Sequence, residues 1–512
     1  MLFNHYASEI KTVVLDDAPS IEEFVAVARY HAKVEFSEAY LKRINDSRKA
    51  LEDKLSSGIP VYGVNTGFGD NVRYRISDDD MVKLQENILR SHGTAFGEPI
   101  KKDLLRCIML FMLNNVGKGY SAVSEETVQL VKEYLNRDVY PYVPAGGGTG
   151  SLTSMPYFAI TLMGEGRIID DDGSVKPAAE MLEKKGLKPL KIKAREGLGI
   201  LNCQPSVCEF ILTIYDLTMA LRHGDICAAL VCEALGTTDM AYHPRLMELK
   251  GRPEAMEMAA YMRKALSDSK IMEHARKVKV QDCVSSRIIP HMHSTVKRML
   301  QQSFDVVMEE LRAVNDNPVF LEDGTALMGG NWDTSAIALY ADAMAIAVCN
   351  LAKLFEVHME RLVNPNLSGL PAFLVKKPGL NNGFMILQYV TADLLGEITF
   401  LANSGSSYTC TVSAGQEAPA YGDAGAVFKL HDAASKLNTL ITYTMMTALQ
   451  ALDFRKEDMG TLSQKVFDEA RKTVTFMEED DLMYPRIEAM EALVASNKLL
   501  DIAQETIGDF TL

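Results

Sequence analysis

Residues 334–355 read TSAIALYADAMAIAVCNLAKLF, an apolar, alanine-rich run long enough to cross a bilayer but interrupted by Asp342 and Asn350. An acid in the middle of such a run argues against a membrane span, and small side chains let helices approach closely. The run is therefore expected to form a buried helix, in a bundle or at a subunit interface. It has company: residues 206–235, 291–314, 383–403 and 423–453 also carry helical patterns, and the run itself extends to about 363. A helix of thirty residues spans about 45 Å. Helices that long, rich in Ala and Met, commonly pack against their copies in another subunit, so a homo-oligomer is expected.

Shorter elements precede them. Ser20 and Glu23 form a capping-box pattern before EEFVAVARYHA, and Asp78, Asp79 and Asp80 precede MVKLQENILRSH, which keeps Met81, Leu84 and Ile88 on one face. Between them IPVYGVNTGFGDNV is too rich in glycine for helix or strand. Strand signals are confined to VVL at 13–15 and to short pieces near 138–143 and 190–194. These patterns predict a mainly α protein with a loop-rich N-terminal domain over 1–205 and a long-helix bundle domain over 206–512.

Bulk properties narrow the partners. A net charge of -15 over 512 residues argues against nucleic acid and anionic membrane surfaces, which need clustered Lys and Arg, and favours small molecules. The eight cysteines include no CxxC pair, so reduced thiols are expected rather than a zinc site or disulfide scaffold. Glu9 and Lys11 interrupt the N-terminal stretch where a secretory signal would be apolar, which points to the cytoplasm. His291-Met-His293 has no third ligand in view, so no metal is expected, and the acidic run 478–481 reads as a solvated helix end.

The glycine run of YVPAGGGTGSL (142–152) has neither the Lys-Ser/Thr of a phosphate loop nor the strand and acid of a dinucleotide fingerprint. Alone it would be a tight turn. It is accompanied in order by YGVNTGFG (62–69), SHGTAFG (91–97), VQDCVSSR (280–287), NDNP (315–318), GGNWD (329–333), NNGFM (381–385) and SAGQE (413–417). This series, over about 55–425, resembles the aromatic amino-acid lyase family of histidine, phenylalanine and tyrosine ammonia-lyases. The resemblance implies a histidine ammonia-lyase-like helical fold, a homotetramer, and active sites assembled from several subunits. It assigns Tyr62 as the base that removes the substrate's β-proton, and Arg287 as the two-pronged donor to its carboxylate. Asn202 and Asn331 correspond to active-site asparagines, and Gln416 with the catalytic Glu417 to the polar pair near the amino group. His92 occupies the position at which histidine and tyrosine lyases receive a polar ring, so an imidazole-like or phenolic substrate is favoured.

The departures from the family are informative. Its Ala-Ser-Gly triad cyclises to an electrophilic methylidene-imidazolone, but Gly148, Thr149, Gly150 and Ser151 stand at the triad and the following aspartate. A threonine would give a bulkier, less electrophilic alkene, so no prosthetic group is expected, with a threonine-derived ethylidene as the alternative. Val284 replaces a second tyrosine, Trp332-Asp333 replaces Phe-His, and Thr399 replaces a lysine. A quaternary trimethylammonium has no lone pair with which to attack an electrophile and already departs as a neutral amine. A betaine substrate thus accounts for losing the group. Trp332, Asp333 and Glu417 would then surround the cation, unless Trp332 merely fills the space of the family's phenylalanine. Together these features resemble a trimethylamine-releasing member of the family, which implies elimination of trimethylamine from ergothioneine to thiourocanate, with no cofactor. Ammonia release from histidine or another aromatic amino acid, elimination from histidine betaine, and a non-catalytic scaffold are the alternatives.

Overall fold

The computed structural model describes residues 6–55, 58–148 and 152–508. The helices that matter here are α1 (Ile21–Tyr30), α2 (Met81–His92), α3 (Glu196–Leu201), α4 (Pro205–Ala234), α5 (Val284–Arg287), α6 (Ile289–Arg312), α7 (Ser335–Val363), α8 (Met385–Leu401) and α9 (Asp423–Leu452). All five long helices read from the sequence form, with ends within two residues of those expected. α4 is buried on nearly every side and packs against α9, α6 and α7, as an element apolar all round must. Two of its threonines satisfy their hydroxyls within the helix, Thr213 and Thr218 donating to the carbonyls of Glu209 and Ile214 at 2.7 and 2.8 Å.

Two stretches, Glu196–Ala234 and Ser335–Val363, are apolar and long enough to cross a membrane by composition, and 89% and 61% of their most apolar windows are buried within the chain. In α7 the interrupting acid explains itself. Asp342 accepts from Lys429 Nζ at 3.0 Å and from the backbone amides of Gly405 and Ser406. Flanking Asp342 along α7, Leu339 and Ile346 are exposed, and α8 exposes Ile386, Tyr389, Val390 and Phe400. That is a large apolar face for a protein of this charge.

The N-terminal elements are shorter. α1 starts with the predicted box: Ser20 Oγ accepts from Glu23 N, and Glu23 returns to Ser20 N. The strands β1 (Thr12–Leu15) and β2 (Lys33–Phe36) pair in parallel. A hairpin of β3 (Thr409–Val412) and β4 (Glu417–Tyr421) carries the SAGQE turn.

Two expectations need correction. Residues 190–194 form no strand. The segment is the lead-in to α3, with Lys193 N donating to Glu196 Oε2 at 2.7 Å and Ala194 O accepting from Arg48. The run 478–481 is not a solvated helix end. Glu478 and Glu479 pair with Lys376 and Lys377, and Asp480 accepts the amides of Asn382 and Gly383, so the run clamps the loop before α8.

Candidate active site

The loop carrying Tyr62 is shaped by its own side chains. Asn65 accepts from Val61 N at 2.7 Å and donates to Ile59 O at 2.9 Å, folding the chain back on itself. Half-buried Tyr62 then points along the loop, where its Oη accepts from the Gly69 N–H at 2.9 Å and Phe68 meets its ring edge-on. Two glycines make the fit possible. Gly69 has φ +55°, and a Cβ there would lie 2.5 Å from Ser413 Oγ; Gly63 has φ +63°, and a Cβ there would meet Leu198 Cδ2 at 2.8 Å. The tyrosine loop is thus seated between the β3–β4 turn and α3. Gln85 on α2 locks it to α3, donating to Gly63 O and accepting from Leu198 N.

His92 closes α2. Its Nδ1 lies 2.9 Å from Ser91 Oγ. Burial lowers the imidazole pKa, opposed by the Ile88 carbonyl and by the negative charge of Glu417. Glu417, at the start of β4, is therefore a neighbour of His92 within one chain. The glycine run belongs to the same corner. Residues 144–146 pair with the strand Phe96–Pro99, and Ala95 N donates to Thr153 O at 3.3 Å, so both flanks of the run are tied to the segment just after His92. Gly148 ends the described part on one side; Thr149, Gly150 and Ser151 lie outside the described residues.

The floor consists of helix starts. α3 is followed by Asn202, and α4, α7 and α9 begin at Pro205, Ser335 and Asp423. Buried Asp423 joins the last three, accepting from Ser206 Oγ at 2.6 Å and Thr334 Oγ1 at 2.8 Å. Gln204 donates to the Trp332 carbonyl at 3.2 Å, leaving the indole half exposed. Asn202 donates its amide to Asp316, which also pairs with fully buried Arg195 at 2.5 Å. Helix N-termini bear partial positive charge, and the buried Asp423 side chain answers it where these three helices start.

Other predicted residues sit differently. Both carboxylate oxygens of Asp333 are taken by Ser335, its backbone N at 2.7 Å and its Oγ at 3.0 Å, so Asp333 serves the start of α7. Its charge also acts on Glu310, whose carboxyl is pushed up to about 7, mainly by burial. Asn331 and Gln416 are exposed at loop tips. Cys203 is buried, donates to Ile200 O at 2.9 Å, and has its thiol pushed up by burial, which suits packing. His293 is also a packing residue, with Nδ1 at 2.8 Å from buried Asp225.

Arg287 is not with these residues. Its helix, α5, is held by His358 Nε2 at 3.3 Å from Ser285 O and by Tyr242 Oη donating to Ser286 O at 2.8 Å. The stretch of α7 from Ser335 to His358 covers about 35 Å at the α-helical rise. Within one chain, Arg287 and Tyr62 therefore stand toward opposite ends of the bundle. Arg287 makes no ion pair among the described residues, and its Nε is buried without a partner. Sequence reasoning missed Gln85, Arg195, Gln204, Asp316 and Asp423. Only the polar types of NDNP and the residues flanking Asn202 could have signalled some of them.

Known proteins share the sequence family and the fold. A family model described as aromatic amino acid lyase matches residues 20–472. Histidine ammonia-lyase of Deinococcus radiodurans is 33% identical over 499 residues, covering 96% of this chain and 95% of that protein. The crystal structure of histidine ammonia-lyase from Trypanosoma cruzi superposes with a TM-score of 0.91 at 27% identity, over 97% of this chain and 96% of that one. Ergothionase from Treponema denticola, solved with desmethyl-ergothioneine sulfonic acid, has the same fold, with a TM-score of 0.87 at 23% identity over 96% of this chain and 100% of that one.

Proposed function

The chain belongs to the aromatic amino acid lyase family of carbon–nitrogen lyases, and from that premise we propose that it eliminates trimethylamine from ergothioneine, a betaine of a histidine-like amino acid, to give thiourocanate. The observation that carries the reading is the sequence at 148–151, Gly-Thr-Gly-Ser, beside retained Tyr62, His92, Glu417 and Arg287. These residues do not fit the methylidene-imidazolone of the family, because the serine whose Cβ becomes the methylidene is missing. A substrate with a quaternary nitrogen removes the need for it.

In this reading Tyr62 Oη takes the β-proton, and the C–H electron pair becomes the new Cα–Cβ double bond. The Cα–N pair leaves with trimethylamine. The Gly69 N–H, 2.9 Å from Tyr62 Oη, meets the charge on that oxygen. Arg287 grips the carboxylate, and His92, held by Ser91, orients the ring. Glu417 and Trp332 face the cation; Asp333, engaged with Ser335, is the weakest of the three candidates for that role. Because Arg287 stands far from Tyr62 along the chain, the site draws on more than one subunit of a homotetramer, and the exposed faces of α7 and α8 supply the apolar surface for assembly.

The test is direct. Purified protein given ergothioneine should release trimethylamine and form a product absorbing at longer ultraviolet wavelength; turnover of histidine without turnover of any betaine overturns the proposal. The histidine ammonia-lyases among the relatives favour that second reading. Intact mass distinguishes it further, since a threonine-derived electrophile would lower the chain mass by two waters.

A further inference from the structure

Asn202 carries a side-chain amide, and an amide can present either its N–H or its oxygen. Asn202 follows α3 directly, partly exposed at the floor of the site. Its Nδ2 donates to Oδ1 of Asp316. That same oxygen accepts from Arg195 Nη2 at 2.5 Å and from Asn317 N at 2.6 Å. Three donors on one buried oxygen are what a carboxylate accommodates, and a carboxylate only accepts. The amide of Asn202 therefore cannot turn its oxygen toward Asp316. Oδ1 is left on the far side of the planar group, with no donor among the described residues.

The supporting layer is rigid. Arg195 is fully buried at φ +79°, with its Nε donating to Ser121 O at 3.3 Å and its guanidinium over the Phe320 ring at 5.7 Å. Burial raises the Asp316 carboxyl above the usual carboxylate range, and the Arg195 charge and the Asn317 N–H act against that rise. Arg195, Asp316 and Asn202 thus come from two chain segments, 195–202 and 315–318, joined at one atom.

We infer that Asp316 is a positioning residue that fixes the orientation of the Asn202 amide, so that the site presents an oxygen acceptor, and not an N–H donor, to the ammonium end of the substrate. This deepens the elimination reading and rests on it for the identity of the cation. A carbonyl oxygen is complementary to the positive methyl surface of a quaternary nitrogen and equally to N–H groups of a primary ammonium, whereas an N–H turned the same way would oppose both.

The experiment is a double-mutant cycle on the assembled protein: wild type, Asp316→Asn, Asn202→Ala and the double variant. An asparagine at 316 can accept or donate, so it releases the amide from its single orientation. If Asp316 acts through Asn202, Asp316→Asn lowers kcat/KM about tenfold or more alone but costs less than twofold once Asn202 is alanine. Equal losses in both backgrounds overturn the inference and leave Asp316 a structural residue. Should Asp316→Asn fail to assemble for want of a partner to Arg195, Asp316→Glu keeps the charge, displaces the acceptor and carries the same cycle with the same two outcomes. The cycle is read on whichever of ergothioneine or histidine the wild-type protein turns over, or on their Kd values by calorimetry if it turns over neither. Failure of the elimination reading, scored by which amine wild type releases, is thereby separate from failure of the coupling.

Discussion

The Gly69 N–H donates to Tyr62 Oη at 2.9 Å, so the proposed base is met by the backbone of its own loop, seven residues on. That loop is held in turn by Gln85, Leu198 and Ser413, on three different elements. Tyr62→Phe should lower kcat by about two to four orders of magnitude, the range for a general base, with the thermal unfolding midpoint within a few degrees of wild type. Steady-state kinetics and circular dichroism check both parts.

Gly69→Ala should be nearly as damaging by a different route. Its positive φ and the 2.5 Å approach to Ser413 Oγ leave a Cβ no room. The expected loss of kcat with Tyr62 intact would be relieved in part by a second change, Ser413→Gly, measured in the same assay.

Mixing tests the composite site. Tyr62→Phe and Arg287→Ala chains should each be inactive. If each site takes these residues from different subunits, unfolding and refolding an equal mixture restores about a quarter of wild-type activity by random assembly. Activity that stays at the level of the separate variants would place both residues of a working site in one chain. Ile386→Glu with Phe400→Glu on the exposed face of α8 should reduce the assembly mass in light scattering.

One buried and one half-buried group give opposite pH dependences. Burial lowers His358 to about 3, so the unfolded chain binds the extra proton and stability is lost as pH falls from about 6.5 toward 3. Burial raises Glu310 to about 7, so the folded chain binds the extra proton and its contribution declines as pH rises from about 4.5 through 7. Unfolding midpoints across pH should therefore show an acid limb that flattens in His358→Gln and a near-neutral decline that flattens in Glu310→Gln.

Asp423→Ala should destabilise by about 1–3 kcal/mol, the cost of stranding buried hydroxyls on Ser206 and Thr334. Asp423→Asn, which can still accept from one of them, should recover part of the loss, read as the midpoint in denaturant.

The long helices were legible because their signal is periodic and local. α7 could be bounded within a residue, and its internal acid argued against a membrane span. The segment 190–194 misled because β-like composition says nothing about whether a neighbouring strand exists; here Glu196 takes the backbone N–H of Lys193 instead. Tyr62, His92, Asn202 and Glu417 were picked out by motif order, and the elements that carry them meet around the tyrosine loop and the β3–β4 turn. The layer behind them was not legible. Asp316 meets Asn202 and Arg195 across more than a hundred residues of chain, and no spacing rule connects those positions. Asp333 was assigned by analogy to the site, yet local geometry gives both its oxygens to Ser335.

The helix starts gathered by Asp423 have a further consequence. The helices pack through their lengths, while Asn202, Gln204, Trp332 and the β3–β4 turn lie in the short segments that lead into them. The frame and the chemistry are therefore written in separable parts of the chain. A change of leaving group or ring asks for new lead-in segments and leaves the bundle interior as it is, which makes these segments the natural place to graft a different substrate preference onto the same scaffold.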